Sequence, residues 1–130
     1  MQYDEFLGAV QHRAEFGTRS EAVRATRATL EVLGQRLFGG EADHLAAQLP
    51  SELGYYVTQA EPSEAFDLDE FFERVSEREG VDLPDAVYHS RVVLSVLREA
   101  VTAGELEDVL AQLPEEYTRL FEAGSEGAMT

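Results

Sequence analysis

Cysteine is absent from the chain, and so is lysine. The first absence excludes disulfides, thiolate catalysis and cysteine-ligated zinc together. The second leaves all ten basic residues as arginine, against 26 acids, for a formal net charge of −16. Also missing is any apolar run approaching the ~20 residues that span a bilayer, so no membrane association is expected. The N-terminal MQYDEF carries acids at positions 4 and 5 and neither a basic nor an apolar stretch, which predicts that no leader peptide is present. There is no Gly-x-Ser-x-Gly and no phosphate-cradling glycine loop, and the acids are too numerous for one pair to stand out as general acid and base. The expectation is a non-catalytic protein with no cofactor. A triad assembled only in three dimensions is the exception that spacing leaves open.

What is present is a normal apolar fraction in 130 residues, the size of one domain with one hydrophobic core. The charge is lopsided. Residues 1–60 hold eight acids and five arginines, net −3, whereas residues 61–130 hold eighteen and five, net −13. Such self-repulsion is best tolerated where concentrated salt shortens the Debye length to ~3 Å, so a halophile's cytoplasm is the expected setting. An ordinary acidic protein whose codons favour arginine is the alternative.

The chain repeats itself. Asp4-Glu5-Phe6 returns as Asp69-Glu70-Phe71 at a shift of 65, and from Ala22 onward the match holds at 64. At that shift Val23, Arg27, Leu30, Val32, Leu33, Gly40, Glu41 and Ala47-Gln48-Leu49-Pro50 recur as Val87, Arg91, Leu94, Val96, Leu97, Gly104, Glu105 and Ala111-Gln112-Leu113-Pro114. Each copy reads as helices only. Tyr3, Phe6, Leu7 and Val10, like Leu68, Phe71, Phe72 and Val75, follow the spacing of one helical face. A second helix should begin near Thr18 or Ser20, and near Asp82-Leu83-Pro84, and end at Gly39-Gly40 and at Gly104. A short third helix then stops before Pro50 or Pro114, with the leucine turned inward and a fourth helix starting at the proline, Glu52 and Glu116 near its positive end. Ala-Gln-Leu-Pro is thus structural punctuation.

These features predict an all-α fold, a tandem duplication of a roughly 60-residue four-helix unit packed into one pseudo-symmetric domain over residues 1–122. The copies span 3–57 and 67–121, joined by a polar linker over 58–66, with a flexible tail over 123–130. A 60-residue copy alone buries little surface, so the two should share a core. The apolar breadth of Val87, Val92, Val93, Leu94, Val96, Leu97, Ala100 and Val101 places the second copy's long helix near its centre.

With Asp-Glu-Phe, the single matched arginine of the long helix, Gly-Glu and Ala-Gln-Leu-Pro in view, the chain resembles the family known as domain of unknown function 2267, from Tyr3 to Phe121. RATRATLEVLGQRL at 24–37 with GGEADHLAAQLP is similar to that family's first half, and SVLREAVTAGELEDVLAQLPEEY to its second. The resemblance implies a small helical protein and carries no activity with it.

Several constellations invite a functional assignment. Glu41-Ala42-Asp43-His44 is a Glu-x-x-His, the unit by which ferritin-like bundles hold metal, but its counterpart is Glu105-Leu106-Glu107-Asp108, without histidine, and no metal is expected. Asp85 and His89, four apart, suit a surface ion pair. Arg27 and Arg91 are the matched basic pair and the candidate binding residues; a brace to Asp4 or Glu5 and to Asp69 or Glu70 is the stronger expectation for them, and a shared anion or partner site the sharper one. The functional expectation is an interaction module or adaptor with a protein partner. The alternative is a transcription-associated regulator contacting DNA through the less acidic first half, disfavoured because phosphate binding weakens with salt and the total charge repels a duplex.

Overall fold

The computed structural model describes the backbone of residues 1–125 and the side chains of residues 1–121, and among these there are helices and no strands. In chain order they are α1 (Tyr3–Arg13), α2 (Arg19–Arg36), α3 (Glu41–Ala47), α4 (Ser51–Gln59), α5 (Leu68–Glu79), α6 (Leu83–Ala100), α7 (Ala103–Ala111) and α8 (Glu115–Ser125). None is long and apolar enough to cross a membrane.

Local chemistry sets the ends. Thr18 caps α2 by accepting from the Glu21 N–H at 3.2 Å, while Glu21 accepts from the Thr18 N–H at 3.0 Å, which satisfies two donors that a helix start leaves unpaired. Asp67 caps α5 and Thr102 caps α7 in the same sense. Gly39 and Gly40 take the left-handed conformation after α2, as expected. Gly104 does not end the second long helix: α6 stops at Ala100 and Gly104 lies inside α7, which starts earlier because Thr102 supplies a cap that Phe38, its counterpart, cannot. The prolines stop α3 and α7 as predicted but stand just outside the next helix, Pro50 being the N-cap of α4 and Glu115 the first residue of α8.

The two 18-residue helices α2 and α6 pack on each other at the centre. Helix α1 lies on α2 and also on α6, and α5 lies on α6 and also on α2, while α4 covers α2 and α8 covers α6. Buried apolar side chains from all eight helices, among them Phe6, Leu33, Leu45, Leu53, Phe71, Leu97, Val109 and Tyr117, form one cluster. Helix α4 approaches α2 so closely at Gly34 that a Cβ there would stand 1.9 Å from the Val57 carbonyl oxygen.

The linker is less loose than its composition suggests. Phe66 is buried, its carbonyl accepts from Arg36 Nε at 2.9 Å and from the Tyr117 hydroxyl at 3.0 Å, and the Arg74 guanidinium lies 3.9 Å from its ring centroid. Helix α4 runs to Gln59 and α8 to Ser125, beyond the copy ends expected at 57 and 121. The first residues of the expected tail are therefore helical, and residues 126–130 lie outside the described part.

Candidate functional site at the α3–α7 junction

Gln48 and Gln112 explain why Ala-Gln-Leu-Pro occurs twice. Gln48 Oε1 accepts from the Thr102 N–H at 2.9 Å and its Nε2 donates to Thr102 Oγ1 at 3.3 Å. Gln112 Oε1 accepts from the Phe38 N–H at 3.0 Å and its Nε2 donates to the Phe38 carbonyl at 2.9 Å. Phe38 and Thr102 are themselves 64 residues apart. The glutamine at the end of each short helix thus holds the backbone just before the other short helix, a role beyond punctuation.

The same contact between α3 and α7 brings together the acids that begin them. Carboxylate oxygens of Glu41, Glu105 and Asp108 all lie within 4.8 Å of one another. Glu41 is 8% exposed and Glu105 7%, whereas Asp108 is at the surface. One oxygen of each glutamate, Oε2, is buried with no hydrogen-bond donor. Burial, followed by the adjacent Glu41 carboxylate and then by Asp108, pushes the Glu105 carboxyl up to about 7. His44, on the exposed side of α3, has Nδ1 3.9 Å from Glu41 Oε1. Glu-x-x-His and its counterpart Glu-x-x-Asp, set aside in the sequence for want of a second histidine, therefore meet across the junction.

The matched arginines behave differently. Arg27 is 57% exposed and pairs within its own helix, Nε to Glu31 Oε2 at 3.0 Å, with its guanidinium over the Tyr56 ring. Asp4 is paired with Arg19 and Glu70 with Arg74, and neither the expected brace from Arg27 to Asp4 or Glu5 nor that from Arg91 to Asp69 or Glu70 forms. Arg91 is exposed, with no ion pair, hydrogen bond or ring contact among the described residues. Both residues lie on exposed positions of the long helices, Arg27 beside Tyr56 of α4.

The bracing arginines are Arg13 and Arg78, matched at the shift of 65 that governs the first helix of each copy. Arg78 of α5 crosses to α2, its Nη1 2.8 Å from Glu31 Oε1. Arg13 of α1 crosses to α6, donating to Glu99 at 2.8 Å and to Ser95 Oγ at 3.2 Å. Ser95 is the counterpart of Glu31. Glu31, only 6% exposed, also accepts from Gln59 of α4, so one carboxylate ties α2, α4 and α5. The alignment at 65 could have found this pair, but only the fold shows that each arginine reaches the opposite long helix.

His89 also departs from expectation. It is buried rather than paired with Asp85 at the surface, its Nδ1 lies 2.5 Å from Glu79 Oε2, and its ring meets Phe16 edge-on at 4.6 Å. The adjoining cleft, lined by Phe16, Glu21, Arg24, Glu79, Val81 and His89, measures ≈ 50 Å³, room for water rather than for a substrate.

Residues 3–120 match the family described as uncharacterized conserved protein, DUF2267. The chain belongs to the DUF2267 family. No curated protein matches it. For this DUF2267 protein the functional reading therefore rests on the geometry of its own residues.

Proposed function

We propose that the protein is a non-catalytic helical interaction module, a tandem duplication of a four-helix unit closed into one pseudo-symmetric domain, that engages a protein partner through Phe38. The observation that carries it is the side chain of Phe38, 61% exposed on a backbone held at both its N–H and its carbonyl by Gln112. An aromatic left in water on a fixed backbone loses little entropy when a partner covers it, which suits it to anchor an interface. The clasp itself has no need of the ring, since Thr102 serves in the reciprocal position. Phe38 stands at the lip of a cleft of ≈ 240 Å³ between the end of α2, the start of α3 and the end of α4, whose apolar lining includes Leu37, Ala42, Val57 and Pro62. Asp43 adds negative charge there, so the fitting partner presents an apolar side chain beside a basic one. The duplication is supported by the crossed packing of α1 on α6 and α5 on α2 and by the reciprocal glutamine clasps.

Contact with DNA through the first half has less support. Of its five arginines, Arg13, Arg19 and Arg27 are committed to acids and Arg36 is buried against backbone carbonyls, which leaves Arg24.

Purified wild type, Phe38→Ser and Tyr55→Ser, an equally exposed aromatic on α4, test this by affinity capture from the native host in its own salt, after circular dichroism shows matching melts. A partner held by wild type and Tyr55→Ser but lost by Phe38→Ser is expected. Capture indifferent to Phe38→Ser overturns the assignment, and filter retention of genomic DNA at that salt favours a regulator instead.

A further inference from the structure

We infer that Glu41, Glu105 and Asp108 form a binding site for a hard divalent cation, of the magnesium or manganese class, that ties α3 to α7. The site does not depend on Phe38 or on any protein partner. Acids are abundant in this chain, and most, Asp108 included, are exposed; Glu41 and Glu105 differ in their burial and in what one oxygen of each lacks. Glu41 and Glu105 are each more than nine-tenths buried, and each has an oxygen sealed from water with no donor. A buried carboxylate without a partner is costly, and two facing each other are worse, because their repulsion adds to lost hydration. Neither arginine nor the clasping glutamines donate to them among the described residues: Gln48 and Gln112 spend their amides on Thr102 and Phe38.

The spacing suits an ion. Oxygens bound at about 2.0–2.1 Å to one octahedral cation stand about 3 Å apart when adjacent and about 4 Å apart when opposite, and the three carboxylates all offer oxygens within 4.8 Å of one another, close enough for small side-chain movements to enclose an ion. An all-carboxylate set, without nitrogen or sulfur donors, suits hard cations such as magnesium and manganese. Asp108 is at the surface, so the ion has an entry path and positions for water, which magnesium and manganese retain. The glutamine clasps hold the two short helices together without the ion, so the ligands are brought near one another in advance.

The probe is Mn²⁺ alone, titrated into the full-length protein after removal of metals by chelator, in molar potassium chloride to screen diffuse attraction to the net charge, with free Mn²⁺ read by electron paramagnetic resonance. One saturable ion per chain is expected, with affinity at least about tenfold weaker in Glu41→Gln and in Glu105→Gln and unchanged in Glu64→Gln, a surface control. Mn²⁺ should raise the melting midpoint of wild type but not of the two site variants. Should a site variant fail to fold, Asp108→Asn, at an exposed position, supplies the same comparison. Binding equally weak in wild type and site variants would overturn the inference and mean that a proton shared between the two glutamates is all the pair holds.

Discussion

Glu31 shows how burial, rather than pairing alone, decides what an arginine contributes. Three donors reach this one carboxylate: Arg27 from its own helix, Arg78 from α5 and Gln59 from α4. Arg27 is more than half exposed and adds an i,i+4 pair of the kind worth a few tenths of a kcal/mol, whereas Arg78 is the charge that crosses between helices. Arg78→Met should therefore lower unfolding free energy by about 2 kcal/mol, because it strips a mostly buried carboxylate of its interhelical counter-charge. Arg27→Met should cost less than about 1 kcal/mol. Urea unfolding followed by circular dichroism checks the order. A larger loss for Arg27→Met would return the bracing role to the arginine that the sequence match at a shift of 64 picks out.

At the scale of elements, α3 and α7 are too short, at seven and nine residues, to be stable as isolated helices. They persist because each is held at both ends by tertiary contacts, Leu45 or Val109 turned into the core and a glutamine hooked onto the opposite half. Each glutamine makes two hydrogen bonds in a solvent-accessible setting, so Gln48→Ala and Gln112→Ala should each cost about 1 kcal/mol. Because both tie the same pair of helices, the double variant should depart from additivity by about 0.5 kcal/mol or more. Thermal melts of the four proteins measure this. Strict additivity would mean that the clasps act as two unrelated surface contacts.

For the whole molecule the dominant fact is charge. Among the described residues, arginine–carboxylate pairs such as Arg13–Glu99, Arg19–Asp4, Arg74–Glu70 and Arg78–Glu31 neutralise some of the 26 acids locally, and most of the excess lies in residues 61–130. The salty-cytoplasm reading predicts cooperative unfolding with a high midpoint in molar potassium chloride and a marked fall on dialysis to low salt, as repulsion becomes unscreened. Circular dichroism at several salt concentrations tests it; a midpoint indifferent to salt would leave codon preference as the explanation of the composition. The shared apolar cluster means that such a loss should be felt by both halves at once.

The sequence by itself determined the helices, their apolar faces and most of their ends, because these depend on residues three or four apart and on capping and proline geometry that act locally. Phe6, Leu7 and Val10, Leu30 and Leu33, Leu94 and Leu97, and the inward Leu49 and Leu113 are all buried as their spacing requires. The internal shifts of 64 and 65 were legible as well, and with them the correspondence of Glu41 with Glu105 and of Gln48 with Gln112. Only the tertiary structure decided which member of a pair meets what. Arg78 reaches Glu31 and Arg13 reaches Glu99 because α5 and α1 lie across the opposite long helices, and no local rule specifies that crossing. His89 found Glu79 instead of Asp85 because the bend after α5 folds that acid onto α6. Glu41 and Glu105 became a facing pair because α3 and α7 pack together, and their buried unpaired oxygens are properties of that contact. Periodicity reports which face of a helix avoids water; it carries no information on which other helix will cover that face.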